Sequence, residues 1–529
     1  MSLHTMNMKN LRKYITTVSR MIETEGRPSD EIITKIWNEG YKRLSKSEAF
    51  WHWYCEAPGG NPIDPSHTGG IAKQKNIDHE KIDNRVSVSF PARIVENRVG
   101  YLLGEAQRVV ISRMIPKGQG LLGKTLGVVK TAFGGKVTQE LEDKYTQEDK
   151  DLLADFRAEN DMPDQDVEVG KYMAACGYAG RLLSLADSVN KETGKPEKYV
   201  KVEVVEPWAC LFLATGEIYD PTYALRAYTE ADESGKEIRI LRFYTVDKIF
   251  VFAFNEMGRA VYTHEEEHAF GGVPLIGYPN NGELLPAFWR GISKIIDYQE
   301  RVSSRSSELE AERDGYTVFL DIDISEKERE SARKKGGVLG HSKKGCSHPA
   351  RIERLEKHID TAAHKDHLER LKEDVDRDCG HVDLDDEKVV GAASYIALKL
   401  KTLPLEIQGM MFQKKFVAAD LQIYWLLFNY VHTTTGRFLY YRDVSTTWIR
   451  SLPKNLPEEV DMVTKLKGVT SDVTAFSVAS FISDPEKEKE AVDAQNQNMD
   501  RVGLGVSRKE PHEEAEMDAL AKSILGGNA

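Results

Sequence analysis

Three stretches of the chain carry residue types at spacings that could do chemistry. "GQGLLGKT", Gly118 to Thr125, fits G-x-x-x-x-G-K-[ST]. In that motif backbone amides cradle phosphates, Lys124 would reach the outer phosphate and Thr125 would hold magnesium. Its flanks argue against it. Pro116 sits just before the loop, the following "LGVVKTAFGG" is a weak helix former, and no strand–helix alternation follows to build a parallel sheet. A P-loop NTPase using Gly118–Thr125 stands as the rival reading, which nucleotide binding with Lys124→Ala as control would decide. "HEEEH", His264 to His268, is a literal H-E-x-x-H. A zinc protease needs both histidines on one helical face, whereas this run follows an expected hairpin and reads as a solvated strand end. His358, His364 and His367 stand among carboxylates on a charged helix, the pattern of a solvated face. The reading is of no catalytic residues, no metal and no cofactor.

A fourth feature is electrostatic. "SARKKGGVLGHSKKGCSHPARI", Ser331 to Ile352, holds Arg333, Lys334, Lys335, Lys343, Lys344 and Arg351 and no acid. In a chain of net charge −12 it marks a local footprint for an anionic partner. The overall acidity argues against a protein that grips nucleic acid over its whole surface.

The elements that position these residues follow from patterning. At 529 residues, three or four structural units are expected. The five cysteines (Cys55, Cys176, Cys210, Cys346, Cys379) contain no CxxC pair and fit a reducing compartment. The N-terminus lacks the apolar run of a signal peptide. "FVAADLQIYWLLFNYV" carries Asp420, Gln422 and Asn429 and reads as a buried helix within 404–431 rather than a membrane span. The chain thus reads as soluble and intracellular.

Spacing predicts a helix over 28–54, strands around "SVSF" and "RVVIS" with a helix between them, and a charged helix over 138–160. From Tyr199 the pattern is of strands, with a hairpin turning at Gly258. "GGVPLIGYPNNGE" ends the sheet. Asn280 and Asn281 are expected to cap a long helix beginning at Glu283, whose charge suits the helix dipole. That helix is apolar in its first half only. A short strand, "YTVFLDIDI", the basic loop and a helix around 361–379 follow, the last with Leu368, Leu371 and Val375 as a narrow stripe. "DPEKEKEAVDAQNQNMD" reads as a charged helix.

These elements occur in a recognisable order. "NRVGYLLGEAQ", "GYAGRLL", "EIYDPTYALRAYT", "GGVPLIGYPNNGELLPAFWRGISKIIDYQERVSSRSSELE", "GAASYIALKLKTLPLE" and "RSLPKNLPEEVDMVTKLKGVTSDVTAFSVASFISDPEKEKE" make the chain resemble the portal proteins of tailed bacteriophages, in the family typified by long-tailed phages of Bacillus. One departure is Ser394-Tyr395, where the family favours Ser-Gly.

The resemblance implies an α+β subunit: a mixed wing over 1–282, a first stem helix over 283–313, a small α/β clip over 314–360 and a second stem helix over 361–380. A tunnel loop over 381–394, a long wing helix with C-terminal wing over 395–455, a helical crown over 456–495 and a tail over 496–529 complete it. It implies a closed ring of roughly a dozen copies, a dodecamer, at one capsid vertex of the virion, assembled in the host cytoplasm without membrane contact. Double-stranded DNA would pass through the ring. The partners implied are the terminase large subunit, capsid and scaffolding proteins and a head-completion adaptor. The six cations of 331–352 would face the terminase. In the tunnel loop Asp385, Asp386 and Glu387 would repel phosphate, Lys388 would touch it transiently, and Val389 and Val390 would give an uncharged surface.

Overall fold

The computed structural model describes residues 8–55, 86–116, 141–189, 196–231, 235–313, 316–320, 322–323, 326–327, 341–342, 351–355, 361–383, 400–451, 456–477, 479, 482 and 485–501. The chain divides into two units, Met1–Ser451 and Leu452–Ala529.

The larger unit opens with helices α1 (Met8–Glu25), α2 (Asp30–Tyr54) and α3 (Phe90–Leu103). Ser29 accepts a hydrogen bond from the Ile32 amide, and Asp30 and Glu31 sit at the positive end of α2. The helix expected from 28–54 is therefore present with its cap. Residues 86–89 form no strand, and Pro91 lies in the first turn of α3 where a strand was expected. Strands β1 (Arg108–Ile111), β2 (Met114–Pro116) and β3 (Leu141–Asp143) follow. The charged helix is shorter than 138–160. It is α4 (Gln147–Glu159), started by a capping box of Thr146 and Asp149. Helix α5 (Met162–Cys176) stops at Gly177, which has φ +89°.

Eight antiparallel strands come next: β4 (Tyr178–Val189), β5 (Pro196–Val205), β6 (Cys210–Leu213), β7 (Tyr223–Ala231), β8 (Glu237–Tyr244), β9 (Lys248–Phe254), β10 (Ala260–Glu267) and β11 (Leu275–Pro279). They form a five-stranded sheet ordered β10-β9-β8-β7-β6 and a three-stranded sheet ordered β11-β4-β5. The run of consecutive strands therefore begins at Tyr178, well before Tyr199. The β9–β10 hairpin turns at Gly258, φ +70°, as its sequence requires.

Helix α6 (Ile292–Arg313), strands β12 (Tyr316–Leu320), β13 (Ile322–Asp323), β14 (His341–Ser342) and β15 (Arg351–Leu355), and helix α7 (Thr361–Cys379) come next. Long helix α8 (Leu403–Thr435) ends at Gly436, and strand β16 (Val444–Thr447) pairs with β1. Strands β12 and β15 pair from Tyr316↔Leu355 to Leu320↔Arg351, and β13 pairs with β14.

The core lies on both faces of the five-stranded sheet. On one face Leu225, Leu241, Phe243, Phe250 and Phe252 pack against Leu11 and Val18 of α1 and Ile33, Ile36 and Trp37 of α2. Each such buried side chain contributes about 1.5–3 kcal/mol. On the other, Phe212 and Tyr244 meet Tyr178 and Leu275 of the three-stranded sheet. Two strand edges are partly occupied by side chains. Asn160 accepts from the Val202 amide (2.7 Å) and donates to the Val200 carbonyl (3.0 Å), and Gln165 donates to the Val202 carbonyl. Thr34 and Asp30 of α2 accept from the Ala260 and Tyr262 amides of β10.

The smaller unit holds α9 (Leu456–Leu466), α10 (Asp472–Ser477) and α11 (Pro485–Arg501). Val463, Phe476 and Ala479 are its core, with Val492 of α11 packed on it.

Candidate functional site

The Asn-Asn turn redirects the chain and is not a helix cap; Asn280 is buried and Asn281 half-buried. Asn280 and Asn281 both donate from Nδ2 to the Leu285 carbonyl (2.8 and 2.9 Å), and Asn281 Oδ1 accepts from the Leu285 amide. The Asn280 amide donates to Gly177 and the Ala287 amide to Ala174, which ties the turn to the end of α5. A Cβ on Gly177 would stand 2.2 Å from the Leu284 carbonyl oxygen, so only glycine fits. Phe288 and Trp289 then pack edge-on against Phe50, in a 3-10 turn that precedes α6. Helix α6 consequently starts at Ile292, not at Glu283, and Glu283 lies outside its first turn. Leu285, Phe288 and Trp289 have helical spacing, yet Leu285 lies in the turn, Phe288 precedes the 3-10 element and Trp289 opens it.

From this turn α6 and α7 run antiparallel. Gly291 lets the pair approach, since a Cβ there would meet Cys379 Sγ at 2.7 Å and Val375 at 3.5 Å. Ile292 and Ile295 of α6 are buried, as are Val375 and Cys379 of α7; Leu368 and Leu371 are half-buried. Lys294 reaches Asp378 (2.7 Å) and Asp374 (3.8 Å), and His367 reaches Asp297 (3.5 Å). The seam is narrow and its rim is charged.

Helix α7 ends in a Schellman turn. Gly380 has φ +60°, its amide donates to Arg377, and the His381 amide donates to Asp376 (2.8 Å). Helix α3 grips this end. Arg98 donates from Nη2 to the Cys379 carbonyl (3.1 Å). Arg93 bridges Asp376 (3.3 Å) and Asp383 (3.4 Å), and Lys372 also binds Asp383 (2.8 Å). The His381 ring is buried with neither nitrogen hydrogen-bonded. Burial, with Arg93 nearby, pushes its pKa down to about 4. Burial also pushes the Asp376 carboxyl up.

A second group of titratable residues lies inside the unit. Arg181 is fully buried and pairs with Asp166 (2.7 Å) and Asp420 (3.4 Å); Tyr278 donates to Asp420 (2.7 Å). Arg157 donates to Tyr424 and pairs with Asp166 (3.4 Å). Perturbed groups often mark active sites, and burial together with Asp166 pushes the Asp420 carboxyl up. Here two cations balance two anions in an enclosed site joining α4, α5, β4, β11 and α8, so the cluster serves the fold.

The H-E-x-x-H run lies on β10, as its context implies. His264 pairs with Glu266 (3.2 Å), Glu265 with Lys248 (2.7 Å), and His268 bonds the Thr245 carbonyl past the strand end. Among the described residues no group of three or more His, Cys, Asp or Glu could hold a metal. No helix among them is long and apolar enough to cross a membrane. Asp385, Asp386, Glu387, Lys388, Val389 and Val390 lie outside the described residues, as do Arg333, Lys334, Lys335, Lys343, Lys344, His358 and Gly118–Thr125. Arg351 opens β15 opposite Leu320. Sequence reasoning missed Arg93, Arg98 and His381. The "GHVD" run after α7 is the one local signal, because Gly380 announces a helix end.

The described residues form an α+β chain of two units, the larger of which carries the antiparallel α6–α7 pair. Residues 128–501 match the family described as phage portal protein, SPP1 Gp6-like, and the chain belongs to that family. Comparison with curated proteins gives no match. Membership implies a structural, non-enzymatic component of the virion that forms an oligomeric ring in the capsid. Helices α1, α2 and α3 precede the matched residues.

Proposed function

We propose that the protein forms the ring at one capsid vertex through which double-stranded DNA is packaged and later ejected. The observation that carries this reading is the antiparallel α6–α7 pair, which leaves from the Asn-Asn turn, returns to it, and has only a narrow apolar seam. A helix pair with wet flanks suits a rotationally closed assembly, in which neighbours cover part of what one subunit leaves exposed. In this reading α6 and α7 are the stem, 314–360 the clip, 381–394 the tunnel loop, α8 the long wing helix and 456–495 the crown. The clip, with Arg333, Lys334, Lys335, Lys343, Lys344 and Arg351, docks the terminase large subunit or guides entering DNA. Scaffolding and capsid proteins and a head-completion adaptor bind elsewhere on the ring.

The channel works by weak contact. Each added phosphate contact deepens binding and slows sliding, so Asp385, Asp386 and Glu387 repel the backbone and Lys388 alone touches it. Electron microscopy of the purified chain should show rings of roughly a dozen copies with a central hole. Replacing Asp385, Asp386 and Glu387 together by Lys should leave rings intact and stall packaging, while Lys388→Ala is mild. Normal packaging by the triple variant would remove this segment from the channel's narrow point. Lys343→Glu with Lys344→Glu should weaken packaging in a salt-sensitive way.

A further inference from the structure

We propose that α3 is the fixed base of the span between α7 and α8, with Arg93 and Arg98 as positioning residues that set where the chain leaves the helix pair. The inference rests on the reading of 381–394 as DNA-facing. It is carried by both flanks of that span standing on one helix. At the leaving end, Arg98 is buried and satisfies the Cys379 carbonyl, one of the acceptors a helix end leaves without an intrahelical partner. Arg93 forks across the Gly380 turn, to Asp376 within α7 and to Asp383 beyond it. A planar guanidinium holds two carboxylates in a defined relation, which a lysine cannot do. Lys372 fixes Asp383 from the α7 side.

At the returning end, Tyr101 of α3 donates to Glu406 in the first turn of α8, and Arg450 binds the same carboxylate (3.0 Å). Gly409 lets α8 lie against Leu102, since a Cβ there would stand 2.8 Å from that side chain. Helix α3 therefore fastens both Asp383 and Glu406, and a shift of α3 moves the two flanks together. It lies before the residues that match the portal family.

The two carboxylates on Arg93 separate positioning from stability. Asp376 lies inside α7 and Asp383 beyond its end, so Asp383→Asn frees the exit while Asp376→Asn leaves it held. Assembled rings of Arg93→Ala, Arg93→Lys, Asp383→Asn and Asp376→Asn are compared by hydrogen exchange at the amides of 380–383 and by DNA packaged per particle. Arg93→Ala and Asp383→Asn should speed exchange there and lower packaged DNA several-fold with rings intact. Arg93→Lys should fall between them and the unaltered protein, and Asp376→Asn should package normally. Unchanged exchange in Arg93→Ala and Asp383→Asn, or faster exchange with normal packaging, overturns the proposal. Should the unaltered ring fail to pass DNA, the channel reading falls, while the exchange comparison still decides whether α3 holds the exit. If Arg93→Ala does not assemble, Asp383→Asn carries the test alone.

Discussion

The β11-β4-β5 layer and the α6–α7 pair are joined through the Asn-Asn turn, yet they solve burial in opposite ways. The sheet is covered by α5 and α8 and carries an ion pair inside, with Arg181 and Asp420 paired away from water. The helix pair buries Ile295 and Val375 on one seam and leaves its cations and carboxylates, such as Lys294 and Asp374, partly in solvent. The first region is complete within one chain. The second is finished only on one side, which is what a subunit of a ring needs.

That contrast can be broken or sharpened by substitution. The largest effect should come from the sheet layer. Arg181→Ala leaves Asp166 and Asp420 buried and undercompensated and should cost about 3–5 kcal/mol of folding stability by denaturant titration. A cost under about 1 kcal/mol would show that water enters the cluster.

At the junction the expected effect depends on pH. The His381 pKa lies at about 4 when folded, against an ordinary 6.5. A depressed value means stability that is fully present above pH 6.5 and is lost as pH falls toward 4, up to about 3 kcal/mol. Asp376, shifted upward, offsets part of this slope. His381→Gln should flatten the decline in melting temperature between those pH values, and an unchanged profile would place the acid sensitivity elsewhere.

In the helix pair the effects shrink. Gly291→Ala forces a methyl group toward Cys379 Sγ and should cost about 1–3 kcal/mol while prying α6 from α7. Lys294→Ala removes partly exposed pairs with Asp374 and Asp378 and should change the stability of the free chain by less than about 1 kcal/mol. A larger loss in assembled rings than in free chains would sharpen the comparison.

Much of this architecture is legible in the sequence where one face is buried and the other wet. Helices α2 and α7 and the β9–β10 hairpin follow from spacing and turn residues, and α8 from its apolar run. Legibility fails where burial is two-sided. Strand β4 opens with Tyr178, Ala179, Gly180 and Arg181, all buried, so it shows no alternation. Helix α5 carries Asp166 inward, a residue that reads as solvated until Arg181 is seen beside it. The start of α6 is misread because a 3-10 turn and a helix present apolar residues at similar intervals. For the candidate site, the antiparallel pair is visible in outline. Its anchoring is not, since Arg93 and Arg98 look like an ordinary charged face until α7 and Asp383 are placed against them.

The side chains that occupy part of the sheet edges have a consequence for assembly. Chains that join edge to edge through backbone pairing grow without a natural end. A ring must instead stop when its last subunit meets its first. With Asn160 and Gln165 occupying Val200 and Val202 of β5, and Thr34 and Asp30 occupying Ala260 and Tyr262 of β10, these edges are poorer templates for continued addition. To that extent strand-to-strand growth competes less with the angles at which rigid faces meet, and those angles set where a circle closes.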